Sequence, residues 1–509
     1  MRIVDIMDLL NEVEERFPVD QWVIDGIHIW PLIRLDLAGI MTNYFMFPSL
    51  YNKTNVVPLI IKIPKVLIRK ARGNLKFVYA YFRDYQKNLR PYKADTIFLS
   101  DGISFSYIIN SWYEKFCDPF IGKLRDNGIS YFLISPLHEY FIPRHTPSMF
   151  IQPRLDRIRA KTALFSRRAF KEESLDGFQD FFHLIESREL GMCFPGLAKI
   201  KSEFLLVKKY GDFFSEVLEQ VKPRSAFLVS YYNIVGMAFN LACRKLGIIS
   251  VDIQHGVQSD LHWAYGRWKN VPEIGYELLP RIFWVWSDDE GDVIKRWSSK
   301  VPQWHRPLVG GNLFLDLWRS PGNHIVKHYD DRIEYAKGDQ TNLIQILYTV
   351  GYEEMEKLGI ILRVMKQTEG LCHWWLRIHP GKLLERDHFR RLLVETKVSN
   401  YEVDLATDFP LYALLRQMDL HLTFSSSSVI EAKDLGVPSV VFGDYGKELF
   451  SDLISSGWAL AANTEEEIIL AIEKQFGKRE ELRKLKRMGD KEEGDLDFIQ
   501  SLKTAGLIP

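Results

Sequence analysis

Two short polar motifs in the second half of the sequence contain residue types that bind phosphate groups. One is His379-Pro380-Gly381-Lys382, and the other is the serine run Ser425–Ser428, which Glu431 follows closely. Hydroxyls and backbone N–H groups at a strand-to-helix turn form a cradle for an anion, and an imidazole adds a hydrogen bond. The carboxylate of Glu431 suits a ribose diol. We therefore predict a nucleotide-binding site formed by His379, Pro380, Lys382, Ser425, Ser426, Ser427, Ser428 and Glu431.

Both motifs also have simpler explanations. A serine run commonly caps a helix, and a His-Pro pair commonly forms a turn. The sequence contains no G-x-x-x-x-G-K-[ST] and no G-x-G-x-x-G motif, which argues against an ATPase or a dinucleotide oxidoreductase. No Asp-x-Asp ends a predicted strand of the α/β region. The predicted site therefore requires no metal and no other cofactor.

The first half of the sequence offers groups for proton transfer at predicted strand ends. Asp101 follows residues 96–100, and His255 follows residues 250–254 in the run Gln254-His255-Gly256. A carboxylate, or a histidine with an ordinary pKa of about 6.5, can take a proton from a hydroxyl. The predicted catalytic residues are His255, Asp101 and Asp260, with Asp252 as a further carboxylate if a nucleophile is needed. An Asx-turn at the first strand end and a structural histidine at the second are the alternatives.

These motifs must be positioned by a layered α/β fold. From residue 95 onward, β-rich runs alternate with helical patterns, which is typical of parallel sheets covered by helices. The predicted strands are Thr96–Ser100, Tyr131–Ser135, Ala226–Ser230, Ser250–Gln254, Ile282–Trp286, Pro307–Val309, Ile344–Val350, Trp374–Ile378, Tyr401–Leu405, Leu420–Phe424 and Ser439–Phe442. Two such series predict an α/β protein with two doubly wound Rossmann-like domains facing a cleft.

The chain is predicted to divide into four parts. They are an N-terminal extension (1–90), a first Rossmann-like domain (91–325), a second Rossmann-like domain (326–480) and a charged terminal helix or tail (481–509). The run Gly310-Gly311-Asn312, after a short predicted strand, is either a loop facing the cleft or a plain tight turn. The aromatic segment Trp22–Arg34 either clamps a ligand through Trp22 and Trp30 or packs in a core.

The composition of the chain indicates which classes of partner it can bind and in which compartment it is found. Lys+Arg and Asp+Glu both number 66, so the neutral chain has no basic field for nucleic acid. The four cysteines form no C-x-x-C pair, which fits a reducing cytoplasm. Segment 56–76 holds six basic residues and no acidic one, so it is either a solvated helix face or a contact to an anionic membrane surface. We predict a cytoplasmic protein, with peripheral association at the inner face of the cytoplasmic membrane as an alternative.

The two phosphate motifs resemble those of bacterial surface-polysaccharide glycosyltransferases of the GT-B type that use CMP-sugars, such as Kdo, sialyl- and polysialyltransferases. In that resemblance, His379-Pro380 is the HP motif and Ser425–Ser428 is the serine motif. Asp101-Gly102 is similar in part to the acidic motif of polysialyltransferases, with Ser100 at the first acidic position. The run Gln254-His255-Gly256 is similar to a strand end of Kdo and CDP-glycerol transferases.

The resemblance implies that residues 91–325 form an acceptor domain and residues 326–480 form a nucleotide-sugar domain. It implies a metal-independent transfer of a Kdo- or sialic-acid-like sugar from a CMP-sugar donor to a capsule or lipopolysaccharide glycan, which can be lipid-linked. The alternatives are a CDP-glycerol or CDP-ribitol phosphotransferase, a nucleotide-sugar 2-epimerase and a catalytically silent scaffold of the same fold.

Overall fold

The computed structural model describes residues 3–46, 90–136, 142–165, 175–188, 194, 196–320, 322–351, 355–492 and 498–509. Segment 56–76 lies outside these residues, so its membrane contact stays a prediction. The chain divides into two compact units: unit 1 is Met1–Phe105, Trp112–Gly311 and Asp497–Pro509, and unit 2 is Ser106–Ser111 and Asn312–Leu496. The main change of unit falls before the predicted boundary at 325, because Phe314 already packs on Tyr412 of unit 2, with ring centroids 5.0 Å apart.

The first described residues belong to unit 1. They form helix α1 (Ile3–Arg16), strands β1 (Val23–Ile24) and β2 (Ile27–His28), and helix α2 (Trp30–Met46). Trp22 and Trp30 are fully buried in the main core of unit 1 and meet edge to face at 5.9 Å. Core packing, the second alternative for the aromatic segment, therefore accounts for Trp22 and Trp30, and the described residues 3–46 belong to unit 1.

A buried ion pair ties these helices to the loop at residues 255–275. Arg34 pairs with Glu14, and both side chains are buried. The same guanidinium donates hydrogen bonds to the carbonyl oxygens of Trp263 and Gly266, each at 2.9 Å. The N-terminal helices therefore hold the loop that follows His255.

Unit 1 contains a seven-stranded parallel sheet in the order β11-β10-β9-β8-β3-β6-β7. The strands of this sheet are β3 (Thr96–Leu99), β6 (Tyr131–Ser135), β7 (Met149–Phe150), β8 (Ser225–Val229), β9 (Ile249–Ile253), β10 (Ile282–Val285) and β11 (Arg306–Val309). Strands β4 (Phe105–Ile108) and β5 (Ser111–Glu114) lie outside it. The helices are α3 (Cys117–Asp126), α4 (Gln152–Phe165), α5 (Phe178–Ser187), α6 (Leu197–Val221), α7 (Ile234–Leu246) and α8 (Asp288–Ser298). The central strands are apolar runs because both faces of a parallel sheet are covered.

Unit 2 contains a six-stranded parallel sheet in the order β14-β13-β12-β15-β16-β17. Its strands are β12 (Ile344–Val350), β13 (Cys372–Ile378), β14 (Tyr401–Glu402), β15 (Leu420–Thr423), β16 (Ser439–Phe442) and β17 (Ala459–Ala462). The helices are α9 (Leu313–Arg319), α10 (His324–Lys337), α11 (Met355–Gln367), α12 (Arg386–Glu395), α13 (Asp404–Asp408), α14 (Leu411–Arg416), α15 (Ser428–Asp434), α16 (Asp444–Leu449), α17 (Ser451–Ser455) and α18 (Glu465–Glu492).

The two faces of the unit 2 sheet differ in polarity. One face is apolar and forms the core of the unit. The other face carries buried polar side chains at alternate positions, namely Gln345, Thr349, His373, His421, Thr423 and Ser439. Since side chains alternate between faces along a strand, this polar set lies on one side of the sheet. Its members near the carboxyl ends of the strands contribute to the candidate site.

The two sheets confirm the predicted fold class, an α/β protein with two doubly wound parallel sheets. The eleven predicted strands are present, although Tyr401–Leu405 is reduced to the two residues of β14. The additional strands are β1, β2, β4, β5, β7 and β17. The predicted charged tail is only partly correct, because helix α19 (Phe498–Thr504) packs into unit 1, where the Phe498 ring lies 5.3 Å from the Phe120 ring. Among the described residues, no helix combines the length and the apolar character needed to cross a membrane.

Candidate functional site

The predicted phosphate motifs lie where the unit 2 sheet reverses its winding direction. β12 has β13 on one side and β15 on the other, and the chain visits the two sides in succession. Ligands of open parallel sheets bind at the carboxyl ends of the strands that flank such a reversal. The serine run follows β15, and His379 follows β13. The structure therefore brings both motifs to strand ends on either side of β12.

The four serines divide into two pairs with different surroundings. The Ser428 side chain is buried, and its hydroxyl bonds to the Ser426 hydroxyl at 2.8 Å. The Ser426 N–H donates to the Thr423 hydroxyl at 3.2 Å. Among the described residues, the hydroxyls of Ser425 and Ser427 make no hydrogen bond, and Ser427 does not cap α15 with its side chain. Ser426 and Ser428 therefore shape the turn, while Ser425 and Ser427 retain donors for a ligand.

A buried histidine that the sequence analysis missed organises this turn. The Nε2 atom of His421 lies 3.0 Å from both the Ser428 and the Thr349 hydroxyls, and its Nδ1 atom lies 3.1 Å from the Ser439 hydroxyl. Burial lowers the pKa of His421 to about 3, so the ring is neutral near pH 7. In the sequence, the one feature that could have indicated this role was a polar residue inside a predicted apolar strand, β15.

The histidine of the HP motif caps its own turn. The Gly381 N–H donates to the Nδ1 atom of His379 at 3.0 Å, and the Lys382 N–H donates to the His379 carbonyl at 2.8 Å. Since Nδ1 accepts a hydrogen bond, the proton of a neutral His379 ring resides on Nε2. The turn alternative is therefore right, and this turn also fixes a tautomer that can donate to a phosphate oxygen.

Two further groups accompany these motifs in unit 2. Burial and the charge of Glu431 both raise the pKa of Tyr412, so this carboxylate lies near the phenol. The ammonium of Lys357, near the start of α11, lies 4.2 Å from the centre of the Phe424 ring. Lys357 was not predicted, because a single lysine after a strand carries no motif. It adds a cation beside the serine run.

Gly310, Gly311 and Asn312 are explained by local structure. A Cβ atom on Gly310 would overlap the Trp284 ring, and Gly311 has a φ of +78°. The Asn312 side chain accepts from the Leu315 N–H at 3.1 Å and so caps α9. The tight-turn alternative accounts for these contacts, and the role in ligand binding stays a prediction.

The acid/base candidates of unit 1 lie at an equivalent reversal. Here β3 is flanked by β6 and β8, with β9 beyond β8. Asp101 comes two residues after β3, and His255 comes two residues after β9. The unit 1 sheet therefore has its predicted proton-transfer groups at the edge where ligands bind.

The Asp101 carboxylate is held within its own turn. Its Oδ1 atom accepts from the Ile103 and Ser104 N–H groups, each at 2.9 Å, and its Oδ2 atom accepts from the Ser104 hydroxyl at 2.5 Å. The Asx-turn alternative is thus realised. These three hydrogen bonds engage both carboxylate oxygens within the turn, so Asp101 suits an electrostatic role better than that of a base.

His255 is positioned by a tyrosine that the sequence analysis missed. Its Nδ1 atom lies 3.2 Å from the Ile253 carbonyl oxygen, which requires a proton on Nδ1. The Tyr232 hydroxyl, 2.8 Å away, then donates to Nε2. Burial lowers the pKa of His255, and the charge of Asp101 partly opposes this. The ring is therefore neutral, with a lone pair on Nε2 that points to a hydroxyl.

Two buried carboxyl groups near Asp101 were also missed. Burial, followed by the charge of Asp101, raises the pKa of Glu114 well above its usual range. Burial raises the pKa of Asp118 to about 6. Glu114 accepts hydrogen bonds from the N–H groups of Phe116 and Cys117 at the start of α3. Glu114 and Asp118 could not be predicted, because the packing that brings them near Asp101 corresponds to no sequence motif.

The remaining carboxylate candidates have structural partners. Asp252 is buried and accepts hydrogen bonds from the Tyr231 N–H and the Tyr265 hydroxyl, each at 2.9 Å. Asp260 forms an ion pair with Arg296 at 2.8 Å. Both side chains are therefore engaged by structural partners, and their catalytic role stays a prediction. Within the described part of the chain, no group of three or more His, Cys, Asp or Glu side chains is arranged to hold a metal ion.

Comparisons with known proteins gave matches only among solved structures. No family model and no curated protein matches the chain. The UDP-GlcNAc 2-epimerase of Neisseria meningitidis bound to UDP-GlcNAc is 17% identical with a TM-score of 0.48, covering 77% of this chain and 93% of that one. The calicheamicin glycosyltransferase CalG4 is 12% identical with a TM-score of 0.43, covering 81% of this chain and 99% of that one. The functional conclusion therefore rests on the residues of the site.

Proposed function

We propose that the protein is a GT-B glycosyltransferase that moves a Kdo- or sialic-acid-like sugar from a CMP-sugar to a bacterial surface glycan. One observation carries this proposal: His379 and the serine run lie at strand ends around the winding reversal of unit 2. Nucleotides bind at such reversals in open parallel sheets. The resemblance of the two motifs to those of CMP-sugar enzymes favours CMP over other nucleotides.

Unit 2 would hold the donor. The Nε2–H group of His379 and the hydroxyls of Ser425 and Ser427 would donate to the phosphate, and Lys357 would supply a positive charge. When the bond between the anomeric carbon and the phosphate oxygen breaks, negative charge grows on the departing CMP. Hydrogen bonds to a charged acceptor are stronger than neutral ones, so these donors stabilise the leaving group without a metal. Glu431 would bind the ribose diol.

Unit 1 would hold the acceptor. The acceptor hydroxyl would replace the Tyr232 hydroxyl at the Nε2 atom of His255, attack the anomeric carbon and give its proton to that Nε2 atom. The charge of Asp101 favours the resulting imidazolium, because it raises the pKa of His255 against the effect of burial. The products are then the lengthened glycan, CMP and a protonated His255.

The acceptor and the location follow from the same proposal. A capsule or lipopolysaccharide glycan is the acceptor that the resemblance implies, and such glycans can be carried on lipids. The protein would then work in the cytoplasm at the inner face of the membrane. Segment 56–76 would contribute about 1 kcal/mol per basic residue near an anionic surface.

A binding screen tests the proposed donor. Thermal unfolding of the full chain is followed with CMP, CDP, UDP and GDP at equal concentrations. A ligand at about 100 times its Kd stabilises the folded state by about 2.7 kcal/mol. We expect the largest shift with CMP. A preference for CDP would indicate a polyol-phosphate transferase, a preference for UDP would indicate a 2-epimerase, and no shift would indicate a scaffold.

A further inference from the structure

Three arginines cluster at the amino edge of the unit 1 sheet, opposite the edge that carries Asp101 and His255. Arg281 immediately precedes β10, Arg306 begins β11, and Arg244 lies in the last turn of α7. The backbone N–H of Arg306 donates to the Arg281 carbonyl at 3.1 Å. The cluster therefore lies at adjacent strand starts and plays no part in the candidate site.

The side chains of two of the arginines lie beside Trp304, and the charge of Arg281 acts on the third, Arg306. The guanidinium carbon of Arg244 lies 3.3 Å from the centre of a Trp304 ring, and that of Arg281 lies 5.9 Å from it. Arg281 donates from Nε to the Gln303 carbonyl at 2.9 Å, and Arg244 donates to the Ile274 carbonyl. The contacts hold the planar groups in place and leave the terminal nitrogens of Arg281 for another acceptor.

The cluster lacks a neutralising carboxylate. Among the described residues, none of the three arginines forms an ion pair, and the nearby Glu277 carboxylate already accepts hydrogen bonds from the backbone N–H and the Nδ1 atom of His28, each at 3.0 Å. Burial and the charge of Arg281 lower the pKa of Arg306. A helix carboxyl end favours Arg244, but no such effect favours Arg281 or Arg306 at strand starts. Partly buried like charges therefore lie close together, and among the described residues none of them has an ion-pair partner.

We propose that Arg244, Arg281 and Arg306 form a binding site for an oxyanion, a phosphate or carboxylate group, separate from the donor site. The guanidinium fork matches both groups with two parallel hydrogen bonds, and an anion would relieve the repulsion within the cluster. The half-buried indole of Trp304 offers an apolar surface beside the anion. This site does not depend on the proposed function of the two sheet reversals.

Titration calorimetry with inorganic phosphate, and separately with acetate, tests the site on the full chain. The variant R281Q/R306Q removes two fixed charges, and R154Q is the matched control because Arg154 also lies over an aromatic ring but has a carboxylate partner in Glu216. We expect millimolar or tighter binding of at least one anion to the wild type, at least tenfold weaker binding to R281Q/R306Q and less than twofold change in R154Q. Equal affinity in the wild type and R281Q/R306Q would overturn the proposal.

Two further experiments identify the source of the anion and provide a variant to use if R281Q/R306Q does not fold. Co-sedimentation with phosphatidylglycerol vesicles, lost in R281Q/R306Q, would indicate a lipid headgroup, whereas phosphate binding without vesicle binding would indicate a soluble ligand. If R281Q/R306Q does not fold, R281K/R306K keeps the charge but loses the fork, and we expect at least threefold weaker binding. Unchanged binding in that variant would contradict the proposal. CMP affinity should be the same in every variant, which separates this site from the donor site.

Discussion

The two sheet reversals use polar side chains in opposite ways. At the unit 2 reversal, a neutral buried His421 and the hydroxyls of Thr349 and Ser428 bond to one another. At the unit 1 reversal, the Tyr232 hydroxyl donates a hydrogen bond to His255. The buried carboxyl group of Glu114, whose pKa is raised, lies near Asp101. The first arrangement holds a turn rigid and keeps its groups from titrating near neutral pH. The second assembles groups whose proton affinity is altered by burial.

This difference indicates a division of labour. Rigid, neutral donors bind a charge that develops on a ligand, since they need no rearrangement when the charge appears. Groups with perturbed pKa values are typical of proton transfer. We therefore expect substitutions at the unit 1 reversal to change turnover, and substitutions at the unit 2 reversal to change nucleotide affinity.

The largest effect is expected for His255→Ala. Loss of a general base typically lowers the rate by about 10²- to 10⁴-fold. CMP affinity should stay within twofold of the wild type, because His255 belongs to unit 1. Transfer rates and CMP titrations check both parts, with His183→Ala as the control at an exposed histidine. A wild-type rate in His255→Ala would remove this residue from the mechanism.

His379→Ala is expected to weaken CMP binding. A hydrogen bond to a charged group contributes about 1.5–3 kcal/mol, which corresponds to a loss of about 10- to 150-fold in affinity. The matched control is His388→Ala, at an exposed histidine of α12 in the same unit. Calorimetric titration with CMP measures both variants. Equal affinities would show that the HP turn is structural only.

His421→Ala should reduce both stability and CMP affinity. It leaves the hydroxyls of Thr349, Ser428 and Ser439 without their shared partner, which costs about 1–3 kcal/mol for a buried polar group. Urea unfolding measures the loss of stability. His421→Asn, which restores one donor and one acceptor, should recover part of the CMP affinity. Normal CMP binding in a destabilised His421→Ala would mean that the network does not shape the turn.

A smaller effect is expected in the pH dependence of stability. Burial raises the pKa of Asp252 to about 8, so the folded state binds a proton that the unfolded state releases near pH 4. The contribution of Asp252 to stability is therefore complete below about pH 4 and falls as pH rises toward 8, by up to about 1.4 kcal/mol per pH unit. Asp252→Asn should make the urea midpoint less sensitive to pH between 5 and 8. An identical pH slope in the variant would contradict the assignment.

Local patterns were enough to predict the sheets. Runs such as Ile344–Val350 and Ser439–Phe442 are apolar and bounded by turns, and both strands lie at the predicted residues. The motifs at strand ends were also found, because a position next to a strand is a local property. The partners of the N-terminal region could not be predicted, since the burial of Trp22 depends on residues far along the chain, such as Phe178.

The site itself was predicted only in part for the same reason. The residues that the sequence analysis missed interact with partners on other strands or loops, so no spacing in the sequence predicts them. They are His421, Tyr232 and Glu114. Asp101 was found as a residue, but its three local hydrogen bonds, which change its expected role, were visible only in the structure.

The central claim is that the unit 2 turn binds the phosphate of CMP with Ser425 and Ser427, while Ser426 and Ser428 support the turn from within. Titration calorimetry of the double variant S425A/S427A with CMP in EDTA tests it most directly. The control S455A removes a hydroxyl that bonds only to the Ser451 carbonyl in α17. We expect wild type and S455A to bind CMP equally well, and S425A/S427A to bind at least tenfold more weakly with an unchanged unfolding temperature. Equal CMP affinity in all three proteins, or no binding by the wild type in EDTA, would contradict the claim.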